Sequence, residues 1–343
     1  MNTAQNISGR DNKKKQKGVQ KWDTEQNKEQ VKVRECQVVE EETEILVVVK
    51  LEAQDTEKVE VEEKVKIEKD NVKTALVTGG TGFIGHYLAN ELDSRGYKVT
   101  VIDFAYNFCK ELNKNINFIL KDIRTGGLSG EYDFVFHLAA KRSVPLSFKY
   151  PQDYMSTNIW GTWNLMQTYP NSRFINISSS NATSTKSIYG VSKRATELLA
   201  PMHNNSVNVR LFNIFGERQI DEFMAIPCFM HALKYKHPIT IDGDGKQLRD
   251  YTYVLDVVNE IIKIGEDSKK GLVEPGYGTP ITINNLYKEL CELAKMKSDI
   301  MHGPIRRGDV RKTCARHIIQ EPLYGFNQGL RRTVRWYLKS KDF

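Results

Sequence analysis

The stretch Thr78-Gly79-Gly80-Thr81-Gly82-Phe83-Ile84-Gly85 decides the fold of this 343-residue chain. It follows a short apolar run at residues 72–78 and precedes residues 83–95, in which apolar side chains recur at helical spacing. A glycine-rich turn between a strand and a helix is typical of a dinucleotide site. Gly79 permits the tight turn, Gly82 lets a pyrophosphate approach the backbone, and Gly85 lets the helix pack closely on the strand. Phe83 and Ile84 begin the helix, where free N–H groups and a favourable dipole would face the phosphates.

A carboxylate at the end of the second strand indicates which dinucleotide binds. Residues 98–103 form another apolar run, and Asp103 lies at its tip, 18 residues after Gly85. A carboxylate there accepts hydrogen bonds from the adenosine ribose and repels a 2′-phosphate. No arginine follows in Phe104-Ala105-Tyr106, so the predicted cofactor is NAD. After the third strand, Asp122 and Ile123 either contact the adenine or form a plain turn.

The rest of the body alternates between apolar runs and helical patterns. The runs predict strands at residues 117–120, 133–138, 173–178 and 207–211, and helical spacing predicts helices at 154–169 and 188–203. This alternation predicts an α/β fold with a doubly wound parallel sheet of the Rossmann type. The pattern becomes irregular after Phe212. We therefore expect an NAD-binding domain at 72–212 and a smaller substrate lobe at 213–343, with some segments returning to the first domain.

Residues 1–71 differ in composition from the body. Residues 1–37 are mostly Lys, Gln, Asn and Glu, which are too polar to bury a core. In residues 57–69, charged and β-branched residues alternate, which favours a strand, whereas the abundant Glu and Lys favour a helix. We interpret 1–71 as a mostly disordered charged extension. A partner-binding or oligomerising arm is the alternative.

Charge and composition exclude several classes of protein. Residues 1–72 hold 14 basic and 17 acidic residues, and the remainder holds 36 and 26. A basic body suits nucleic acid or an anionic small ligand. Without a zinc-finger, RNP or helix-turn-helix signature, we favour the small ligand and expect no nucleic acid.

No apolar run approaches the roughly 20 residues that a bilayer needs, and no apolar segment follows the lysine-rich start as in a secretory signal. The five cysteines lack metal-ligand spacing, so we expect no metal and a cytoplasmic location.

A tyrosine and a lysine suggest a catalytic centre. In Tyr189-Gly190-Val191-Ser192-Lys193 they are four residues apart, on one face of the predicted helix. A phenol with a pKa of roughly 10 is a poor base at neutral pH. A nearby ammonium group and the positive nicotinamide ring would stabilise the phenolate and bring its pKa into a working range. Lys193 can also hold the nicotinamide ribose, and Ser180, after the preceding strand, offers a hydroxyl to the reacting oxygen.

With the glycine motif, this pair makes residues 72–343 resemble the extended short-chain dehydrogenase/reductases, in the branch of nucleotide-sugar epimerases and dehydratases. His137-Leu138-Ala139-Ala140 is similar to the family's segment beside the nicotinamide. Residues 151–162 reproduce its PxxYxxxNxxGT pattern. The resemblance implies that Leu138, Ala139, Ala140 and Asn158 also contact the cofactor.

The same resemblance implies a nucleotide-diphosphate sugar as substrate, foremost a UDP-hexose, and we also expect a homodimer. Ser143 begins a segment that looks like the SVPxS loop over the sugar, and Asn213 ends an RxFN-like motif that contacts the substrate. Arg249 and Arg306 lie in segments similar to GDGxQxRDxxYVxDV and RxGD, where arginines grip the diphosphate. A surface salt bridge is the alternative for either arginine alone. Thr313 matches the position that faces the sugar's 2-substituent.

The residues after Ser180 bear on the reaction. At these positions the family's 4,6-dehydratases have a Thr-Asp-Glu segment and its decarboxylases have a Glu. This chain has Asn181 and Ala182 after Ser180. An amide and a methyl group cannot transfer the proton. The resemblance therefore implies a 4-epimerase, with oxidation at C4 by Tyr189 and NAD, turning of the 4-keto sugar and return of the hydride to the other face. A dehydratase or keto-sugar reductase with an unusual acid and a non-catalytic NAD-binding scaffold stay open as alternatives.

Overall fold

A computed structural model describes residues 31–40, 44–53, 61–68, 72–221, 223–306 and 308–340. The chain divides into two units, Met1–Asn71 and Val72–Phe343. In the first unit, three strands pair in sequence order as an antiparallel sheet: β1 (Val31–Glu40), β2 (Glu44–Ala53) and β3 (Val61–Glu68). The register sets Val47 opposite both Val38 and Val65.

The described part of the extension therefore holds more regular structure than the sequence predicts. The pattern at residues 57–69 left strand and helix open, and Val61–Glu68 is a strand. β-branched residues are enriched in strands, and pairing with β2 satisfies the backbone groups of β3. Residues 1–37 are predicted to be disordered, but residues 31–37 lie in β1, and residues 1–30 lie outside the described residues.

Seven parallel strands form the central sheet of the second unit, which confirms the predicted Rossmann-type fold. In sheet order they are β14, β9, β8, β7, β4, β5 and β6. Their bounds are β4 (Thr74–Thr78), β5 (Lys98–Asp103), β6 (Asn117–Leu120), β7 (Phe134–His137), β8 (Arg173–Ser179), β9 (Ser206–Leu211) and β14 (Gly271–Val273). The chain runs outward from β4 through β6 and then from β7 through β9 on the other side. The carboxyl ends of β4 and β7 thus flank a topological switch point, where sheets of this kind bind ligands.

Helices cover both faces of this sheet. Along each strand, alternate side chains enter one of two cores. Val77 and Phe136 pack with α1 and α7, whereas Leu76 and Phe174 pack with α4. The helices are α1 (Phe83–Ser94), α2 (Val144–Lys149), α3 (Pro151–Tyr154), α4 (Gly161–Thr168), α5 (Ile188–Leu199), α6 (Ala225–Tyr235), α7 (Val254–Glu266), α8 (Ile283–Ala294) and α9 (Gly325–Lys339). A π-helical turn, Met155–Trp160, joins α3 to α4.

Small paired strands organise the chain after residue 212. The pairs are β10 (Asn213–Phe215) with β13 (Tyr251–Tyr253), β11 (Ile239–Asp242) with β17 (Ile300–Gly303), β12 (Leu248–Arg249) with β16 (Ile281–Thr282), and β15 (Pro275–Gly276) with β18 (His317–Ile318). Two later segments return to the first domain, because β14 pairs with β9 and α7 packs against α1. The boundary at 212/213 stays a prediction. Within the described ranges, no helix combines the length and apolarity needed to cross a membrane.

Removal of residues 1–70 tests the independence of the second unit. Residues 72–343 have their own sheet and cores, so we expect the shortened chain to keep its melting temperature within about 2 °C and to keep its turnover. Thermal unfolding and a turnover assay of both chains are the measurements. A large fall in either quantity would mean that the extension packs on the body or on a partner.

Candidate active site

One cavity of about 1260 Å³ opens at the carboxyl edge of the central sheet. Such a volume is ample for a dinucleotide and a second ligand, since sites for single small molecules occupy roughly 300–1,000 Å³. All but one of the predicted site residues line it. They are Gly79, Gly82, Phe83, Ile84, Gly85, Asp103, Asp122, Ile123, Leu138, Ala139, Ala140, Ser143, Ser180, Tyr189, Lys193, Asn213, Arg249, Arg306 and Thr313.

Where β4 turns into α1, Gly79 and Gly85 have no room for a side chain. Gly79 has a φ of +70°, and a Cβ on it would stand 2.7 Å from the backbone nitrogen of Ala139. A Cβ on Gly85 would stand 2.1 Å from the carbonyl oxygen of Gly79. Gly82 is the N-cap of α1, and no side chain caps this helix, so the first N–H groups of α1 remain available to a ligand. This cradle fits the pyrophosphate of a dinucleotide.

Asp103 is fixed at the edge of the cavity. Its Oδ2 accepts hydrogen bonds from the backbone nitrogen and the hydroxyl of Thr81, at 3.0 and 2.7 Å. Its Oδ1 accepts one from the backbone nitrogen of Phe104, at 2.8 Å. Oδ1 can accept a further bond, so Asp103 fits the predicted role toward a ribose. Asp122, farther along the cavity, pairs with Arg124 at 2.6 Å, and the hydrogen bonds from Arg124 hold the pKa of Asp122 below its usual range.

Asn158 is the exception among the predicted cofactor ligands. It lies in the π-helical turn, is buried and does not line the cavity. Its amide bonds the backbone nitrogen and oxygen of Lys141, at 2.7 and 3.0 Å, and the hydroxyl of Ser192, at 2.9 Å. The expected direct contact with the cofactor is therefore corrected to an indirect one. The hydrogen bonds of Asn158 use its amide N–H groups and its amide oxygen. They link the segment after β7 to Ser192 on α5.

The predicted catalytic pair lies on α5. Ser187 caps this helix, accepting a hydrogen bond from the backbone nitrogen of Gly190 at 3.0 Å. Lys193 is buried and donates from Nζ to the carbonyl oxygen of Ile177 at 2.6 Å. Burial lowers the pKa of Lys193 to about 8, against the attraction of Glu197, which raises it. Burial raises the pKa of Tyr189, while a hydrogen bond with Ser179 and the charge of Arg142 act in the opposite direction.

Sequence reasoning selected Ser180 and missed Ser179. Strand β8 runs one residue further than predicted, and Ser180 begins a 3₁₀ turn at Ser180–Thr183. Ser179 is consequently the serine hydroxyl that acts to lower the pKa of Tyr189, and it accepts a hydrogen bond from the backbone nitrogen of Asn181 at 3.3 Å. Both serines line the cavity. The role of Ser180 stays a prediction, now with Ser179 beside it.

A buried ion-pair network, also missed from the sequence, supports α5 from behind. Glu197 accepts hydrogen bonds from Ser178 at 2.7 Å and from Arg210 at 2.8 and 2.7 Å. Arg210 pairs in turn with Glu274 at 2.6 Å. Burial opposes ionisation of Glu197, but the hydrogen bonds from Arg210, Ser178 and Arg194 outweigh it and leave its pKa below the usual range. Glu197 is four residues after Lys193, a helical spacing that could have revealed it.

The substrate end of the cavity holds paired arginines. Arg249 bonds Asp309 at 2.5 Å, and Arg306 pairs with Asp242 at 2.7 Å. The salt bridges left open by the sequence are therefore present, yet both arginines line the cavity. A guanidinium has five N–H donors, so an ion pair leaves donors for a phosphate.

Two further predicted substrate residues meet at this end. The amide of Asn213 donates to the hydroxyl of Thr313 at 3.3 Å. On another wall, Ser143 has a φ of +86°, which is uncommon for a residue other than glycine. Its carbonyl oxygen accepts a hydrogen bond from the hydroxyl of Tyr154 at 2.9 Å. Such strained positions recur at functional sites, which agrees with the predicted place of Ser143 over the sugar.

A Rossmann-type sheet with a glycine cradle and a Tyr–Lys pair in one cavity defines a dinucleotide-dependent enzyme class. The model of the NAD dependent epimerase/dehydratase family matches residues 75–274. The chain belongs to this family, which confirms both the resemblance and NAD as cofactor.

Similar proteins carry out more than one reaction. The chain is 30% identical to the UDP-N-acetyl-alpha-D-glucosaminuronate decarboxylase of Bacillus cytotoxicus, over 77% of this chain and 98% of that protein. Among solved structures, a UDP-N-acetylglucosamine 4-epimerase of Methanobrevibacter ruminantium in complex with UDP-N-acetylmuramic acid superposes with a TM-score of 0.72 at 30% identity, covering 78% and 98%. A UDP-glucose 4-epimerase of Thermotoga maritima with UDP-glucose gives 0.71 at 29%, covering 78% and 99%. Membership of the family therefore does not determine the reaction, which has to be inferred from the residues of the site.

Replacement of Glu197 by Gln tests the network. Glutamine lacks the negative charge of Glu197, so the pKa of Lys193 should fall below its value of about 8. Lys193 would then lose its proton at a lower pH, and the alkaline limb of the pH–rate profile should move to lower pH. Loss of the buried pair should also lower the free energy of unfolding by about 3 kcal/mol.

Glu274→Gln is the matched control for this variant. It removes the other buried carboxylate of Arg210, yet Glu274 is not among the groups that shift the pKa of Lys193. We expect it to lower stability and leave the alkaline limb in place. Equal shifts of the limb in both variants would contradict a role of Glu197 in setting the charge of Lys193.

Proposed function

We propose that this chain is an NAD-dependent 4-epimerase of a UDP-activated hexose or N-acetylhexosamine. The supporting observation is the chemistry around Tyr189. The end of β8 and the turn after it offer the hydroxyls of Ser179 and Ser180, the amide of Asn181 and the methyl group of Ala182. No carboxylic acid stands in this segment to remove water across C5–C6 or to assist decarboxylation.

The carboxylates around the cavity agree with this proposal. Among the described residues that line it, the acidic side chains are all aspartates. Asp103 and Asp122 belong to the dinucleotide end, and Asp309 is paired with Arg249. Asp221 is paired with Arg142, and Asp153 is exposed on α3. An ion-paired aspartate stays ionised and is a poor proton donor.

In the proposed reaction, NAD supplies the hydride acceptor and donor for C4 of the sugar. Tyr189 takes the proton from the 4-hydroxyl, and the positive charge of Lys193 stabilises the phenolate. A hydroxyl from Ser179 or Ser180 holds the same sugar oxygen. Arg249 and Arg306 hold the diphosphate, so the sugar can turn while the nucleotide stays anchored. A homodimer and a cytoplasmic location remain part of the proposal.

Tyr189→Phe tests the base. The change removes the titrating hydroxyl but keeps the ring, so epimerisation should fall by at least about 100-fold while NAD still binds. The assay follows the galacto epimers formed from UDP-glucose, UDP-N-acetylglucosamine and UDP-glucuronate, together with NADH. Carbon dioxide is measured with UDP-glucuronate, because only a uronate has a carboxylate to release. Epimer formation without net NADH or carbon dioxide separates an epimerase from a reductase or decarboxylase.

Tyr154→Phe serves as the control for the base. The ring of Tyr154 packs edge-on against Tyr189, with centroids 6.3 Å apart, so the same atom is removed from a neighbouring phenol. Since this hydroxyl only bonds backbone oxygens of the loop before α2, we expect a much smaller loss. Wild-type turnover in Tyr189→Phe would refute Tyr189 as the base.

Thr313→Tyr tests the sugar's 2-substituent. A threonine leaves space where a ring would stand, so we expect UDP-N-acetylglucosamine to be epimerised at a rate comparable to or above that of UDP-glucose. Tyrosine should lower the N-acetyl reaction selectively, by at least about tenfold, because a clash is harder to relieve than a void. Thr313→Val keeps the volume and should preserve the ratio of the two rates. A wild-type protein that accepts UDP-glucose and ignores UDP-N-acetylglucosamine would disprove this assignment.

A further inference from the structure

Arg142 is a cation of the cavity that the proposed reaction does not use. It stands between the cofactor segment that ends at Ala140 and the sugar-loop residue Ser143. Its side chain lines the cavity and is 65% accessible. Its carbonyl oxygen accepts a hydrogen bond from the hydroxyl of Tyr154, whose ring packs edge-on against Tyr189 with centroids 6.3 Å apart, and Tyr189 is the residue that would meet the 4-hydroxyl. Arg142 is therefore exposed to a ligand at the reacting end of the sugar.

The partner of Arg142 is a carboxylate. The guanidinium forms an ion pair with Asp221, whose side chain is only 10% accessible. Asp221 is itself held by the backbone nitrogen of Phe223, which donates to its Oδ1 at 2.9 Å. Asp221 also lines the cavity, so the pair joins two walls of the site. The site thus presents a guanidinium already positioned against a carboxylate.

Sugar chemistry limits what Arg142 can recognise. Two substituents flank C4 of a hexopyranose, namely the 3-hydroxyl and C5 with its C6 group. In a hexose whose 3-hydroxyl is free, only C6 can carry a charge at neutral pH, when it is oxidised to a carboxylate. The diphosphate lies at C1, across the ring from C4, and has Arg249 and Arg306 as its proposed partners. An arginine close to Tyr189 would therefore meet C6 and not the phosphates, and its planar fork matches a carboxylate.

We propose that Arg142 binds the C6 carboxylate of a nucleotide-linked uronic acid, which takes the place of Asp221 on the guanidinium. The inference rests on the proposed 4-epimerase and narrows its substrates to UDP-hexuronates, with or without a 2-acetamido group. The exchange replaces one carboxylate by another, so the charge of Arg142 stays paired, and Asp221 loses its cation but keeps the hydrogen bond from the backbone nitrogen of Phe223. A neutral hydroxymethyl group at C6 cannot displace Asp221 and gains no such bond. The discrimination therefore favours the acid.

The experiment compares UDP-glucuronate with UDP-glucose in the NAD-loaded full-length protein. Epimerisation gives kcat/KM for each, and calorimetry gives Kd for each without depending on turnover. We expect the wild type to prefer UDP-glucuronate in both measurements. Arg142→Gln should lower the uronate-to-hexose ratio of kcat/KM by about 10- to 100-fold and lower the ratio of affinities in the same direction.

Two further variants sharpen the test. Asp221→Asn removes the competing carboxylate and keeps Arg142 charged, so the preference for the uronate should persist or increase. Arg142→Lys keeps the charge without the fork and should give an intermediate ratio. Melting temperatures verify that each variant is folded.

Three results would overturn the inference. The first is a wild type that binds and turns over UDP-glucose in preference to UDP-glucuronate. The second is an equal loss on both substrates in Arg142→Gln with a shift of the pH–rate profile, which would place the action of Arg142 on Tyr189. The third is an unchanged affinity ratio in that variant. If neither sugar is epimerised, the proposed function fails, and the affinity ratio still decides the role of Arg142.

Discussion

The contact between the backbones of Gly79 and Ala139 determines where the chemistry takes place. It joins the turn after β4 to the segment after β7 at the switch point of the sheet, and a single Cβ on Gly79 would separate them. The phosphate cradle and the nicotinamide segment thereby form one continuous floor. Gly85 is needed as well, because the absence of a side chain there lets α1 pack closely against the same turn. The rest of the site is arranged around this floor.

The reacting end depends on a different kind of support. Tyr189 is half-buried and Lys193 is buried, which opposes the charged form of each, so the roles proposed for them depend on compensating charges. The negative charge of Glu197 favours the protonated form of Lys193, and the positive charge of Arg142 favours the ionised form of Tyr189. Glu197 can stay ionised although it is buried, because Arg210 and Ser178 donate hydrogen bonds to its carboxylate. The buried network is therefore part of the electrostatics of the site as well as of its stability.

The fold could be predicted from local pattern because each signal was short-ranged. The strands at Lys98–Asp103 and Asn117–Leu120 have the predicted bounds, and the helix predicted at 154–169 is continuous in outline with α3, the π-helical turn and α4. The π-helical turn itself could not be foreseen. It aims Asn158 at Lys141 and Ser192, two partners that are distant in sequence. The one-residue extension of β8, which brings Ser179 to Tyr189, is likewise set by pairing with β9 and not by its own residues.

The arginines show why function is harder to infer than fold. For Arg249 and Arg306 the sequence posed a choice between salt bridge and phosphate ligand, and the structure has the salt bridges inside the cavity. The two roles are compatible, because a carboxylate that holds a guanidinium in place also keeps its charge paired until an anionic ligand arrives. Asp309 leaves most N–H donors of Arg249 for such a ligand. Asp221 does the same for Arg142 at the other end of the sugar. If the cavity binds a diphosphate and a further anion as proposed, the three aspartates keep the three arginines paired until those groups compete for them.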